Sequence, residues 1–377
     1  MGMPEDLAVS RKVNLSTVGK TTFLDSEFRY TLFPVFYGVV FVLGLIANSY
    51  VLFVLRRMRN AKAMNEIRIY MVNLTVADLL FVCALPFWIG YYHCSGDWRY
   101  GDFLCRVTGV FFFINTYCSI LFLAAISVNR YWAITRPLDA ASSDRWRRGV
   151  AVTMVIWALT LSMSVPHLLK TDIQVDERNV SRCFEGYHHK TDDEKRTVAT
   201  IHLIIVVCFV LVFFVVVVCN LLISRALLAQ SPIQTRGSSS YMPRGVKGQA
   251  LQMLCAVVGV FVVCFLPHHV VQGPWTLAVL EIKEGWGSMD WDQRTRQWLN
   301  DVHQVTLMLM GLNCLLDPVV YCFATRKFRL YIKDHLKMLR RCKGCSETAI
   351  TQISMVECKI MSQRLHNEQQ QLQILNL

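Results

Sequence analysis

The sequence predicts an all-α membrane protein, a seven-transmembrane helix bundle with a short amphipathic eighth helix. Of 377 residues, 54% are hydrophobic and only 18% charged, well below the roughly 25% charged residues of a soluble domain. Mean hydropathy is +0.36. The apolar residues collect into seven charge-poor runs, each near the ~20 residues that a helix needs to cross a hydrocarbon core about 30 Å thick. The runs lack the apolar and polar alternation of a barrel strand, so helices remain the only spanning structure.

In chain order the spans are Phe33–Leu55, Ile69–Tyr92, Val107–Val128, Gly149–Leu169, Ile201–Ile223, Ala250–Gly273 and Val302–Phe323, with Asp78 and Asp317 interrupting the second and the last. Before them, Glu5, Asp6, Arg11, Lys12, Lys20, Asp25 and Glu27 leave no apolar core, so no cleavable signal peptide is expected and the first span inserts the chain. After them, Phe328, Tyr331, Ile332, His335, Leu336 and Leu339 recur at helical spacing among basic residues, the pattern of a helix on the inner leaflet. Residues 1–30 are read as an extracellular tail, 31–323 as the bundle, 324–341 as the surface helix and 342–377, ending in a Gln-rich stretch, as a disordered cytoplasmic tail. Most of the fourteen cysteines lie inside apolar runs, where they act as small hydrophobes.

Loop charge sets orientation. Arg56, Arg57, Arg59, Lys62 and Arg68 follow the first span, Arg130, Arg136, Arg145, Arg147 and Arg148 the third, and Arg225, Arg236, Arg244 and Lys247 the fifth, whereas the alternate loops mix signs. The basic side is cytoplasmic, which places the N-terminus outside, the C-terminus inside and the chain in the plasma membrane. The formal charge of +12 is therefore topology and calls for no nucleic-acid partner. The sequons at Asn14 and Asn179 then fall on the outer side, and Cys342 and Cys345 follow the surface helix as S-acylation candidates.

Motifs narrow the class. The spans carry, in order, Gly44-Leu45-Ile46-Ala47-Asn48, Asn73-Leu74-Thr75-Val76-Ala77-Asp78, Asn129-Arg130-Tyr131, Trp157, Cys264-Phe265-Leu266-Pro267 and Asn313-Cys314-Leu315-Leu316-Asp317-Pro318-Val319-Val320-Tyr321. This set resembles the rhodopsin-like G-protein-coupled receptors. Segments around Asp25–Pro34, Phe113–Ser119, Pro267–Gln272 and Asp301–Leu307 match a lipid-binding branch of that family.

The resemblance implies a receptor for a membrane-derived agonist, coupled to heterotrimeric G proteins and met by arrestin and receptor kinases. It implies a disulfide between Cys105 and Cys183, which leaves Cys94 as a free thiol or an intermolecular link. It also implies an allosteric sodium ion at Asp78, with Ser119, Asn313 and Asp317 around it; a hydrogen-bonded clasp without metal is the alternative. No other cofactor is expected. Asn129, Arg130, Tyr131, Phe265, Pro267, Pro318 and Tyr321 would carry coupling and activation, with Asn129 and Lys247 standing where relatives often place acids that restrain the arginine.

The pocket residues suggest the ligand. His202, His268, His269, Gln272 and Gln304 lie in the outer halves of the last three spans, and intramembrane polar groups face the bundle interior. Tyr37, Trp88, Tyr92, Phe112, Phe113, Phe184 and Trp275 surround them, with Glu185 beside the loop cysteine. Imidazoles and amides suit a phosphate, and an aromatic cage with a carboxylate suits a quaternary ammonium, so the set fits a phosphocholine lipid. A receptor of the same fold for another lipid, a peptide or a nucleotide is the alternative. A transporter would show an internal repeat, which the sequence lacks, and no nucleophile or metal-ligand cluster points to an enzyme.

Overall fold

The computed structural model describes residues 24–57, 66–136, 144–169, 173–176, 179–184, 191–229, 244–283, 285–324, 328–335 and 337–338. Helices α1 (Phe28–Arg57), α2 (Glu66–His93), α3 (Gly101–Thr135), α4 (Arg145–Leu169) and α5 (Asp192–Ala229) each cross the bundle once. The sixth crossing joins α6 (Arg244–Val260), a π-helical turn Phe261–Phe265 and α7 (Leu266–Val279), and the seventh joins α8 (Gln293–Met310) to α9 (Asn313–Ala324). Among the described residues, seven segments are thus long and apolar enough to cross a membrane. Residues 328–335 are helical, with Phe328 buried against Tyr321 and the Tyr50 hydroxyl 3.0 Å from His335 Nδ1. Asn14, Glu185, Cys342, Cys345 and the Lys247 side chain lie outside the described residues.

The helices outrun the apolar runs that reveal them. Hydropathy marks only the hydrocarbon-facing stretch, whereas caps decide where a helix begins. Thr191 and Glu194 form a reciprocal capping box, Thr191 N–H donating to Glu194 Oε2 at 3.0 Å and Glu194 N–H to Thr191 Oγ1 at 3.4 Å, so α5 starts nine residues before the apolar run. Asp292 caps α8 by accepting from Thr295 N–H at 3.1 Å. These bonds also hold the Asp292 carboxyl below its ordinary range.

The seventh span is not one helix. Gly311 N–H bonds to Met308 O at 3.1 Å and Leu312 N–H to Leu309 O at 3.0 Å, so the chain tightens by one turn at 311–312. A Cβ on Gly311 would lie 3.2 Å from Phe81, which is why glycine suits this turn. The sixth span is loosened instead by its π turn, just before Pro267 removes a backbone donor.

The main core runs through α1 to α6, the π turn, the end of α8 and α9, with Phe122, Phe261, Phe265 and Tyr321 fully buried. Outward faces stay apolar: Met154, Val155 and Leu159 on α4, and Val207, Leu211 and Phe214 on α5, are exposed in a direction that hydrocarbon must cover.

At the outer end, Cys105 of α3 is bonded to Cys183, which follows the two-residue hairpin β1 (Gln174–Val175) and β2 (Ser181–Arg182). Asn179 sits exposed in the hairpin turn at φ 61°. The segment before α1 straps across the rim. Asp25 meets Arg29 at 2.5 Å, Tyr30 at 2.8 Å and Arg182 at 3.3 Å, while Asn300 donates to Leu24 O at 3.0 Å and Ser26 to Asp301 at 2.6 Å. Burial alone would push the Asp25 carboxyl up, but the Arg29 hydrogen bond and charge, with Tyr30 and Arg182, leave it lowered overall.

Two outcomes follow for this rim. Cys105→Ala or Cys183→Ala should destabilise the purified protein by about 2–4 kcal/mol, the range usual for a disulfide, and so lower its Tm; an unchanged Tm would show that the hairpin is held without it. Because the Asp25 pKa is lowered in the folded state, its contribution is present above the ordinary value of 3.8 and is lost as pH falls through the lowered one. Asp25→Asn should remove that acid-side loss, read as Tm against pH.

Candidate functional site

Two side-chain clusters lie below the strap. The first is aromatic. Phe184, next to the disulfide, stacks on Trp88 at 4.7 Å, and Trp88 packs at 5.9 Å from Tyr37, 6.5 Å from Tyr92 and 5.6 Å from Phe112. Phe184 adopts φ 71°, a conformation that costs a bulky residue about 1–3 kcal/mol. The disulfide and hairpin fix the chain there, so the strain is spent on aiming a ring into the bundle. The Trp88 Nε1 donor is buried without a hydrogen-bond partner.

The second cluster is built of imidazoles from α5, α7 and α8. Trp275 stacks on His303 at 3.8 Å and on His202 at 6.0 Å, His303 lies 4.9 Å from His268, and His269 stacks on Phe209 at 3.8 Å. Leu24 packs on Trp275 and Val279, roofing the cluster from the strap.

Hydrogen-bond roles follow from the partners. His269 Nδ1 lies 2.8 Å from the Phe265 carbonyl, which only accepts, so Nδ1 carries the proton and the unpartnered Nε2 carries a lone pair. Thr306 donates its hydroxyl to His303 O at 2.8 Å, so it can only accept from His268 Nδ1, 3.4 Å away. His202 Nδ1 lies 3.1 Å from Thr276 Oγ1. Both ring nitrogens of His303 are buried without hydrogen-bond partners, and Gln272 Oε1, an acceptor set toward His268, lacks a hydrogen bond of good geometry. A buried polar atom left without a hydrogen bond costs about 1–3 kcal/mol, so their concentration here makes this a candidate ligand site.

The structure brings His202, His268, His269 and Gln272 together, and separately Tyr37, Trp88, Tyr92, Phe112 and Phe184. Phe113 points elsewhere, packing on Tyr117 at 4.4 Å and on His167 of α4 at 5.4 Å. Gln304 is half-buried beside His303. Sequence reading missed His303, Thr276, Thr306 and Asn300. His303 had a usable signal, an ionisable residue inside an apolar span; the hydroxyls and Asn300 had none, because such residues also serve as ordinary helix side chains.

Deeper in the bundle, Asn115 donates to Asp78 Oδ1 at 2.8 Å and Asn313 to Ser119 Oγ at 2.9 Å, while Asn48 donates to Gly44 O at 3.0 Å and Cys314 O at 2.8 Å. Asp78, Asn115, Ser119, Asn313 and Asp317 are all fully buried. Asp78 Oδ2, both Asp317 oxygens and the Oδ1 atoms of Asn48, Asn115 and Asn313 lack a hydrogen bond of good geometry. Every one of these orphans is an acceptor, which suits an oxygen-liganded cation. Among the described residues no group of three or more His, Cys, Asp or Glu is gathered for a metal, so a soft transition metal is not suited. Asp78, Ser119, Asn313 and Asp317 would hold a hard cation such as sodium, whose charge would let two carboxylates coexist away from water.

At the inner end, Arg130 Nε is buried without a hydrogen-bond partner, and Tyr131 packs on Ile223, Leu227 and Leu254. Asn129 is engaged: its Nδ2 donates to Glu66, which also pairs with Arg148 at 3.1 Å. Phe265 is fully buried on Phe261, Pro267 lies in the first turn of α7, Pro318 lies in α9 and Tyr321 is buried.

If the acceptor cluster binds sodium, the Tm of the purified protein should rise with sodium above that in an equal concentration of N-methylglucamine, and Asp78→Asn should remove the difference. Identical wild-type curves in the two salts would make the cluster a hydrogen-bonded clasp.

A sequence model of the 7 transmembrane receptor (rhodopsin family) matches residues 47–321. The chain is 45% identical over 340 residues to the platelet-activating factor receptor of Homo sapiens, covering 88% of this chain and 94% of that one. It is 44% identical over 329 residues to the platelet-activating factor receptor of Mus musculus, covering 86% and 91%. Likeness extends, at 32% identity over 325 residues, to lysophosphatidic acid receptor 4 of Homo sapiens, covering 86% and 83%. With seven crossings, motifs placed at the buried clusters and a match over most of its length, the chain belongs to the rhodopsin family of seven-transmembrane receptors and is a receptor, not an enzyme.

Proposed function

We propose that the protein is a plasma-membrane receptor for platelet-activating factor or a related phosphocholine lipid, that it activates heterotrimeric G proteins, and that its N-terminus is extracellular. The observation that carries the ligand is the concentration of unpartnered imidazole nitrogens at His269 and His303, facing a bundle whose other outer half is an aromatic box. The relatives named for platelet-activating factor support the same choice. Phosphate takes the imidazole side. Choline, a quaternary ammonium, takes the Tyr37, Trp88, Tyr92, Phe112 and Phe184 side, where ring faces attract a cation. Gln304, next to His303 in the chain, flanks the phosphate end, and the alkyl chain leaves toward lipid.

Phosphate offers only acceptors. The neutral tautomer that His269 adopts presents a lone pair at Nε2, so donating to phosphate requires a second ring proton. Agonist binding then takes up a proton, and affinity rises as pH falls. Signal transfer has a short route: His269 Nδ1 is bonded to the carbonyl of Phe265, the last residue of the π turn. A ligand that repositions the ring acts directly on the segment where the sixth span is loosened, and the inner half of that span can swing to admit a G protein at Arg130. Arrestin and receptor kinases would read the same opened face, and sodium at Asp78 would favour the closed one.

The deciding experiment is a calcium-response and binding screen of phosphocholine ether lipids against lysophospholipids, peptides and nucleotides. A response confined to phosphocholine lipids is expected, and a response only to another class would replace this ligand assignment. His268→Ala, His269→Ala and Gln272→Ala should each weaken agonist binding by about 1–3 kcal/mol, the cost of an unpaired buried polar group. An antagonist without phosphate should lose less. The agonist affinity of the wild type should rise as pH falls, and His269→Gln should flatten that slope. Equal losses for agonist and phosphate-free antagonist would make these residues structural.

A further inference from the structure

Glu66 opens α2 at the inner end and is 6% exposed. Its carboxylate sits where the positive end of a helix favours an anion. One oxygen accepts from Asn129 Nδ2 of α3, and the other pairs with Arg148 Nε of α4 at 3.1 Å. Gly149 follows Arg148, and a Cβ placed there would meet Ile69 Cδ1 at 2.9 Å and the Glu66 Cα at 3.2 Å, so the absence of a side chain lets α4 close on the first turn of α2. Three helices therefore converge on one buried acid.

Asn129 precedes Arg130. A helix turns by about 100° per residue, so fixing the Asn129 side chain against α2 fixes the direction in which Arg130 leaves α3. With Asn129 bound to Glu66, the Arg130 Nε is held inside the bundle without a hydrogen-bond partner. A half-buried arginine whose Nε lacks a partner is a poised group, kept in place by the setting of its helix.

We propose that Glu66 is a positioning residue for G-protein activation: by holding Asn129 and Arg148 it sets the rotation of α3 that keeps Arg130 turned inward at rest. It supplies from α2 the anion that position 129 does not carry. Restoring an acid at 129 therefore places two carboxylates together in a buried corner and removes the amide donor, which loosens the resting state. This is opposite to what the bare sequence suggests for Asn129→Asp, where the acid would be expected to restrain Arg130. The proposal rests on the reading of the chain as a G-protein-coupled receptor.

The test uses full-length receptor in nanodiscs, with Asn129→Asp, Glu66→Gln and the double variant at matched surface density. Asn129→Asp should raise ligand-free nucleotide exchange at least threefold and speed amide hydrogen exchange over 126–136. In the double variant the amide and the carboxylate trade helices, so a donor again faces an acceptor and Arg148 keeps an anion in the same corner; both readouts should return to within about twofold of wild type. Affinity for an antagonist at the outer pocket should not change in any variant. Basal exchange in Asn129→Asp at or below wild type, or no recovery in the double variant, overturns the proposal. If the wild type activates no G protein with any agonist, the receptor reading fails instead, while hydrogen exchange still reports on the corner: no rescue there overturns the role of Glu66 by itself.

Discussion

Hydrocarbon supplies no hydrogen bonds, and every feature of this protein follows from how its polar groups are satisfied away from water. Backbone groups are satisfied by continuous helix, which forces seven crossings and leaves proline, glycine and the π turn as the few places where the ladder departs from regularity. Side chains such as Thr75, Ser127 and Ser164 return their hydroxyls to carbonyls one turn back and need nothing else. Against that background the unsatisfied atoms stand out. Some, such as those of Trp88, Thr153 and Asn220, lie singly, but others fall in three groups: the imidazole cluster, the acceptor cluster around Asp78 and Asp317, and Arg130. These lie at the outer, middle and inner levels of one bundle, the order in which a signal would cross it.

The three levels are mechanically joined. His269 is tied to the carbonyl of Phe265, and Phe265 packs on Phe261 within the π turn, so the outer cluster meets the middle of the sixth span without an intervening loop. Asn313 and Asp317 enter the middle cluster from α9 because the chain tightens at Gly311, and Tyr321, one turn further, rests on Phe328. A seventh helix without that break would present a different face at Asp317. The loosened sixth span and the tightened seventh are thus complementary departures from α geometry, placed beside the same buried carboxylates. Two discrete arrangements of such packed elements, not a continuous deformation, are what a switching receptor requires.

Much of this was legible in the sequence. The seven apolar runs gave the crossings, and Asp78 and Asp317, being charged inside such runs, gave the middle cluster, because their cost in a bilayer leaves little but function to explain them. His268 and His269 were legible for the same reason. What the sequence hid depended on registration between helices. Phe113 and Phe112 are neighbours in the chain but leave α3 in different directions, one toward α4 and one toward Trp88, and only packing distinguishes them. Asn129 reads as a missing acid until α2 is brought beside it and Glu66 supplies one. The true lengths of α3 and α5 were hidden as well, since polar turns beyond the membrane carry no hydropathy signal and are set by caps such as Thr191 and Glu194.

The central claim is that the unpartnered imidazole nitrogens are the phosphate site of a phospholipid receptor. Solid-state NMR on receptor with 15N-labelled histidine, saturated with a phosphocholine ether lipid, measures it most directly through the dipolar coupling between imidazole nitrogen and the ligand 31P. A coupling that places the phosphorus within hydrogen-bonding reach of an imidazole nitrogen, accompanied by the 15N shift of a doubly protonated ring and lost in His269→Gln, is the predicted result. Saturated ligand with no such coupling and unshifted neutral imidazoles would contradict it and leave the cluster a structural one.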